Sequence, residues 1–315
     1  MRRLFGFALL AMTACAADLR IGIIGTDISH VPIFTRILND DTAPDHIPGG
    51  RVVAAYKGGS PDIVSSRTRV DGFAEELRAK WHVEFVPDIP TLCTKVDAVL
   101  LESGDGRIHL EQVKPVIAAH KPVFIDKPLA STLEDAREIA RLAREAGVPW
   151  FSSSGLRFGQ IATTMKYADA TGVTVWGPGP MEEHHYLDLS WYAIHPVEML
   201  FTLMGTGVEE VTRIAGGDRT SGSDVVVGRW KDGRIGTVRV LRPSGPYGAV
   251  VYRGKEIVQS PPNVPYSYVP LLKQIMAFFQ TGKPPVSPEE TLEIFAFMDA
   301  AQRSKEQGGK PVKLR

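Results

Sequence analysis

The sequence predicts an α/β protein in two parts: an N-terminal Rossmann-type parallel sheet, then a C-terminal α+β domain with an open, mostly antiparallel sheet. Three observations carry this. Short apolar strands alternate with amphipathic helical segments through the first half. Beyond about residue 152 the strands alternate polar and apolar residues and are joined by hairpin signals. The chain of 315 residues, 43% hydrophobic and 23% charged, can bury the cores of two domains.

The elements follow in order. Leu19–Gly25 is an Ile-rich run closed by a glycine, and Phe34, Ile37 and Leu38 then recur at helical spacing, which reads as strand, turn, helix. Arg51–Tyr56 is a second buried strand, Phe73–Trp81 a helix, Glu84–Val86 a short strand and Val96–Leu101 another apolar strand. A helix over Glu111–Ala119 leads to the strand Val123–Ile125. Ser131–Glu134 has the Ser-x-x-Glu form of a capping box; the helix it opens places Leu133, Ala136, Ile139, Ala140 and Ala143 on one face and stops at Gly147. Pro149–Phe151 begins the last strand of this half. Apolar strands separated by such helices suit a parallel sheet covered on both faces. The texture then changes. Asp224–Trp230 and Arg234–Val240 flank the turn signal Lys231-Asp232-Gly233, and a further strand follows at Tyr247–Tyr252. Two helices, Pro270–Gln280 and Pro288–Gln307, close the chain. The expected division is a leader over 1–17, a nucleotide-binding domain over 18–151 and a substrate and oligomerisation domain over 152–315.

The leader reading rests on Arg2 and Arg3 before an apolar run, Leu4–Met12, that ends in Ala14-Cys15-Ala16. Such a segment is a signal peptide, too short for a transmembrane helix. Export to the periplasm or outside is therefore expected. Met12-Thr13-Ala14-Cys15 also has the form of a weak lipobox that would leave Cys15 lipidated, and Arg2-Arg3-Leu4-Phe5 is similar to the core of a twin-arginine signal. Outside the leader only Cys93 remains, so no intramolecular disulfide is expected. A formal charge of zero offers no basic face for nucleic acid, and no transmembrane span is expected. A small neutral or mixed-charge substrate suits the composition better.

Several phrases in order resemble the Gfo/Idh/MocA oxidoreductase family: Gly22-Ile23-Ile24-Gly25 after the first strand, Val96-Asp97-Ala98-Val99 before His109, Asp126-Lys127-Pro128, Arg157-Phe158, and Thr281-Gly282-Lys283-Pro284-Pro285 with Arg303-Ser304. The likeness covers nearly all of the mature chain. It implies a nucleotide-binding Rossmann domain, NAD or NADP as cofactor, a C-terminal sheet that holds substrate and a homo-oligomer interface, and hydride exchange with a sugar, polyol or related hydroxy compound.

The cofactor loop departs from that pattern. A dinucleotide fingerprint needs three glycines, for the turn, for close approach of the pyrophosphate and for helix packing. In Gly25-Thr26-Asp27-Ile28-Ser29-His30 only the first is a glycine, and Asp27 sets a carboxylate beside an anionic pyrophosphate. The second strand ends in Ala55-Tyr56-Lys57 without a ribose-binding acid; Lys57 could meet a 2′-phosphate or simply be a solvated lysine. Glu102 adds a carboxylate at the same edge. Gly25, Thr26, Asp27, Lys57, Glu102 and Lys127 are the candidate cofactor residues.

Lys127, at the end of a parallel strand, matches the family's lysine and could stabilise an alkoxide-like oxygen; its bland alternative is a surface ion pair. His195, in Trp191-Tyr192-Ala193-Ile194-His195-Pro196-Val197-Glu198, matches the family's histidine and suits a base, or else packs structurally beneath a helix. Trp191 replaces the family's upstream acid and Glu198 its downstream one. Lys127 and His195 are the catalytic candidates. Glu182-Glu183-His184-His185 is expected on a strand, with one glutamate and one histidine facing inward. With Asp27, His30, Glu102 and His195 these would supply ligands for a divalent metal, the alternative cofactor, although no close-spaced metal signature assigns it. Three functions stay open: an NAD(P)-dependent oxidoreductase, a non-redox lyase, hydrolase or isomerase, and a carbohydrate-binding protein, against which Lys127 and His195 argue.

Overall fold

Parallel strands need crossover helices, and the first half of the chain supplies them in alternation. The computed structural model describes residues 17–218, 220–262 and 264–315; Arg2, Arg3, Cys15 and the rest of the expected leader up to residue 16 lie outside them. The first sheet contains β1 (Leu19–Ile24), β2 (Gly50–Tyr56), β3 (Glu84–Phe85), β4 (Ala98–Leu101), β5 (Val123–Ile125) and β6 (Trp150–Ser152), all parallel, in the order β3-β2-β1-β4-β5-β6. Its central strands are apolar on both sides because helices cover both faces: every residue of β4 and β5 is buried. Strand order reverses between β1 and β4, which opens a crevice at their C-terminal ends, the usual ligand position in such sheets.

The covering helices are α1 (His30–Asn39), α2 (Val64–Arg67), α3 (Val70–Trp81), α4 (Ile89–Lys95), α5 (His109–Ala118) and α6 (Leu133–Ala146). The cap of α6 falls one residue later than the capping box implies. Thr132 is the N-cap and its Oγ1 accepts from Asp135 N at 3.0 Å, while the Ser131 carbonyl accepts from Leu187 N at 3.2 Å. Gly147 ends the helix in the left-handed conformation, φ 65°.

The rest of the chain adds α7 (Gln160–Thr164), β7 (Gly172–Pro178), α8 (Asp188–Trp191), α9 (Ile194–Met204), β8 (Val208–Ile214), β9 (Gly222–Trp230), β10 (Ile235–Arg242), β11 (Gly248–Arg253), β12 (Glu256–Gln259), α10 (Val269–Thr281), α11 (Pro288–Glu306) and β13 (Val312–Lys313). Its sheet runs β12-β11-β7-β10-β9-β8-β13, antiparallel except where β10 meets β7. The β9–β10 hairpin turns at Gly233, φ 87°. Glu182–His185, expected on a strand, instead forms a turn. The run Gly177-Pro178-Gly179-Pro180 explains this: β7 stops at Pro178, because a second proline at 180 has no N–H for the ladder.

Helix α10 returns from the far end of the chain to cover the first sheet. Its Leu271, Leu272, Ile275 and Phe278 join Ile21, Ile23, Phe34, Phe124 and Phe151 in one buried cluster, with Phe278 and Phe151 edge to face at 5.1 Å. No helix among the described residues is long and apolar enough to cross a membrane. Phe278→Ala should cost about 3–5 kcal/mol in a denaturant melt, since the cavity lies between sheet and helix; a loss below about 1 kcal/mol would show that α10 is not needed to close this core.

Candidate active site

Three loops meet at the C-terminal edge of the first sheet. Gly25, φ 89°, lies so close beneath the loop after β4 that a Cβ there would sit 2.5 Å from Ser103 N, and a Cβ on Gly58, after β2, would sit 3.1 Å from Gly25 Cα. Hydrogen bonds then lock the junction. Thr26 Oγ1 donates to Lys57 O (3.1 Å) or Val70 O (3.0 Å), Gly104 N donates to Asp27 Oδ1 (3.0 Å), and Ser60 Oγ donates to Asp105 Oδ2 (2.6 Å). Arg107 binds Asp105 and reaches Asp62 at 2.8 Å. Asp105 is buried, yet hydrogen bonds with His185, Arg107 and Ser60 outweigh desolvation and hold its carboxyl below the usual range. The segment from Gly58 to Arg69, which carries α2, therefore bridges from β2 to the loop after β4.

Beneath this junction lie His30, Glu102 and Asp126, at the ends of adjacent strands β1, β4 and β5. His30 Nδ1 is 3.2 Å from Asp126 Oδ1 and 3.8 Å from Glu102 Oε2. Both carboxylates have no exposure, and none of their four oxygens, nor His30 Nδ1, has an aligned hydrogen-bond partner. Burial, then Asp126, push the Glu102 carboxyl well above the usual range. Asp126 is held low because His30 and Lys127 offset its desolvation.

The cavity above has a volume of about 320 Å³, small-molecule sized, and Asp27, His30, Lys127, Tyr192, His195 and Tyr268 are among its lining residues. Lys127 Nζ is 3.3 Å from Asp126 Oδ2, and although burial opposes its charge, Asp126 keeps its pKa raised, so it remains an ammonium donor. His195 begins α9 from the opposite side. Its Nδ1 lies 2.6 Å from Ser154 Oγ; with Nδ1–H donating there, Nε2 is a free acceptor. Burial, then Lys127, hold its pKa well below 6.5, so it stays neutral. Glu198, one turn on, has a structural part. It accepts from Ser154 N (2.8 Å), Ser153 Oγ (3.2 Å) and Arg157 Nε (3.0 Å), which fixes α9 against the exit of β6.

Of the candidates read from sequence, Asp27, Lys127 and His195 line one cavity, with Glu102 behind its wall. Gly25 and Thr26 serve the loop junction. Lys57 points away and pairs with the exposed Asp71. The wider metal set breaks up: His195 is engaged by Ser154, His184 pairs with Glu182 at 2.6 Å, and His185 binds Asp105 at 3.1 Å. Asp126 takes their place beside His30 and Glu102. Its signal was the phrase Asp126-Lys127-Pro128, read for its lysine alone. Tyr192, Tyr268 and Ser154 carried no signal at all.

A dinucleotide has to cross from β2 to β4 over Gly25, with its pyrophosphate on the N-terminus of α1. The residues as placed do not fit it. The crossing is closed by Gly25, Gly58 and Ser103 in contact, the Ser60–Asp105 bond spans it, and Asp27 and His30 put side chains where the fingerprint has none.

Residues 19–153 match the model of an oxidoreductase family with an NAD-binding Rossmann fold. A 77-residue stretch is 46% identical to a 1,5-anhydro-D-fructose reductase of Ensifer adhaerens, 24% of this chain and 23% of that protein. A 133-residue stretch is 31% identical to an inositol 2-dehydrogenase of Klebsiella pneumoniae, 41% of this chain and 34% of that protein. These matches therefore span only a quarter to a third of the relatives' length. Over the whole fold the chain is similar to a probable dehydrogenase from Thermotoga maritima (TM-score 0.74, 22% identity, 94% and 98% of the two chains). It is likewise similar to a myo-inositol dehydrogenase from Lactobacillus casei, in complex with NAD(H) and myo-inositol (TM-score 0.71, 18% identity, 95% and 97%).

Asp27→Gly removes a carboxylate that would repel phosphate by roughly 1 to 4 kcal/mol. NAD(P)H affinity in a fluorescence titration should tighten by about one to three decades if the nucleotide uses this loop. Unchanged affinity with loss of activity would make Asp27 part of the chemistry instead.

Proposed function

Because residues 19–153 belong to the Gfo/Idh/MocA oxidoreductase family, we propose that this protein is an NAD(P)-dependent oxidoreductase acting on a sugar, polyol or related hydroxy compound. The observation that carries the reading is the meeting of Lys127 and His195, from opposite sides of the cleft, on one cavity at the end of a parallel sheet. Lys127, an ammonium, donates to the substrate's reacting oxygen and stabilises charge that develops there. His195, neutral with Nε2 free, takes the hydroxyl proton. Tyr192 and Tyr268 offer hydroxyls and apolar ring faces to the cavity, which suits a polyhydroxylated molecule. Hydride exchange with NAD or NADP is what the family implies; in this chain it requires the Gly25–Gly58–Ser103 junction to part.

That closed junction is the specific observation behind a second reading, a non-redox lyase, hydrolase or isomerase that uses the same proton-handling pair, with a divalent metal in place of the nucleotide. Titration of the purified protein with NADH and NADPH separates the two. Saturable binding supports the first, and none favours the second. Ile214, Ile235, Tyr252 and Ile257 are exposed on strands of the second sheet, which supports a homo-oligomer through that sheet. The charged, apolar and small-residue order of residues 1–17 supports export, to the periplasm or beyond.

Lys127→Ala should lower turnover by about 10²-fold or more, with a smaller effect on substrate affinity; a change within twofold would make the lysine an ordinary ion-pair partner. A base with a depressed pKa works until pH falls through that pKa. The acid limb of kcat/KM should therefore lie below pH 6.5 and vanish in His195→Asn, and a limb above neutrality would assign the base elsewhere.

A further inference from the structure

Strands β1, β4 and β5 are neighbours, so the first residue of α1 and the residues that follow β4 and β5 converge on one point. Glu102 N donates to Ile24 O at 2.7 Å and Asp126 N to Leu101 O at 2.8 Å, which continues the ladder to the residues themselves and fixes where both carboxylates start. His30 enters from the third position of a glycine fingerprint that here has no second or third glycine. One ring nitrogen and one oxygen from each carboxylate then lie within 4.8 Å of one another.

We propose that His30, Glu102 and Asp126 form a binding site for one divalent first-row transition-metal ion at the floor of the cavity. An ion bonded at about 2.0–2.2 Å to nitrogen and carboxylate oxygen holds its donor atoms roughly 3 to 4 Å apart. The separations of 3.2 Å and 3.8 Å from His30 Nδ1 match this spacing. The second observation is the state of the donors. Glu102 is fully buried with neither oxygen partnered, Asp126 is fully buried with only Lys127 beside its Oδ2, and His30 Nδ1 has no aligned bond. Buried polar atoms are nearly always satisfied, so a buried Glu102 with neither oxygen hydrogen-bonded, set beside His30 Nδ1 and Asp126 Oδ1, calls for a shared partner. Asp27 Oδ2, on the same loop as His30, is a further buried oxygen without a hydrogen-bond partner.

The donor set names the class of ion. An imidazole with two carboxylates suits manganese, iron, cobalt, nickel or zinc, whereas magnesium and calcium favour all-oxygen shells. Three protein ligands leave coordination positions open, as catalytic rather than structural sites do. His30 also lines the substrate cavity, so an open position can meet a substrate oxygen beside Lys127. This inference deepens the second functional reading, but it rests on the geometry of the three residues alone.

The test uses the full chain without an affinity tag, stripped with EDTA, dialysed against ZnCl2, MnCl2 or MgCl2, and assayed by mass spectrometry for metal content and by a thermal melt. Wild type should retain about one zinc or manganese ion per chain, and its Tm should rise by about 3 °C or more. Glu102→Gln keeps the side chain's shape and removes its charge, so its metal-free Tm should equal or exceed that of wild type while it retains no ion. His30→Gln should also retain none. Failure of wild type to retain either ion, or equal retention by Glu102→Gln, would overturn the site. A shift with MgCl2 as large as with MnCl2 would overturn the transition-metal assignment. An NADH titration of the same samples keeps the questions apart: nucleotide binding without metal uptake refutes the site and leaves the hydride reading standing.

Discussion

The contact of Gly25 with Ser103 above and Gly58 beside it is the constraint from which the rest of the site follows. A positive φ and the absence of a Cβ allow the loop after β1 to lie directly against two other loops. Once it does, Thr26 is held by backbone carbonyls and Asp27 is drawn under Gly104 N. Helix α1 then starts at His30 with the imidazole turned into the sheet edge. The same packing that closes a dinucleotide path builds a wall of ionisable groups.

Those groups are buried together, and the low dielectric makes each depend on its neighbours. Asp126 is held low because His30 and Lys127 face it, burial and the Asp126 charge push Glu102 up, and Lys127 in turn helps to keep His195 uncharged. An acceptor histidine and a donor ammonium on one cavity are thus a product of the whole cluster. Neither residue type would be so poised at a surface.

The substrate side depends on how the second sheet docks. Glu198 and Arg157, with Glu290 on α11 at 2.5 Å from Arg157, clamp α9 to the exit of β6, so His195 is presented by a rigid helix end. Asp105 and His185 make a second tie across the cleft. Helix α10 brings Tyr268 over α1, where its ring meets His30 at 4.5 Å and Phe34 at 5.8 Å. The cavity is thus assembled from both halves of the chain.

Much of this was legible in the sequence. The period of the apolar residues specified β1, β2, β4, β5 and the β9–β10 hairpin, because strand and helix spacing are local properties. The departure of Asp27 and His30 from the glycine pattern was equally local, and so was the strand-end position of Lys127. The sequence could not show that Glu182–His185 leaves the sheet, a consequence of where prolines fall in the ladder, or that Lys57 turns outward to Asp71. Nor could it pair His30 with Asp126, ninety-six residues apart. That meeting depends on strand order, which brings β1, β4 and β5 side by side. Short-range pattern determined which elements form, whereas the burial and the partners that give each ionisable group its charge and role arise only when distant strands share one edge.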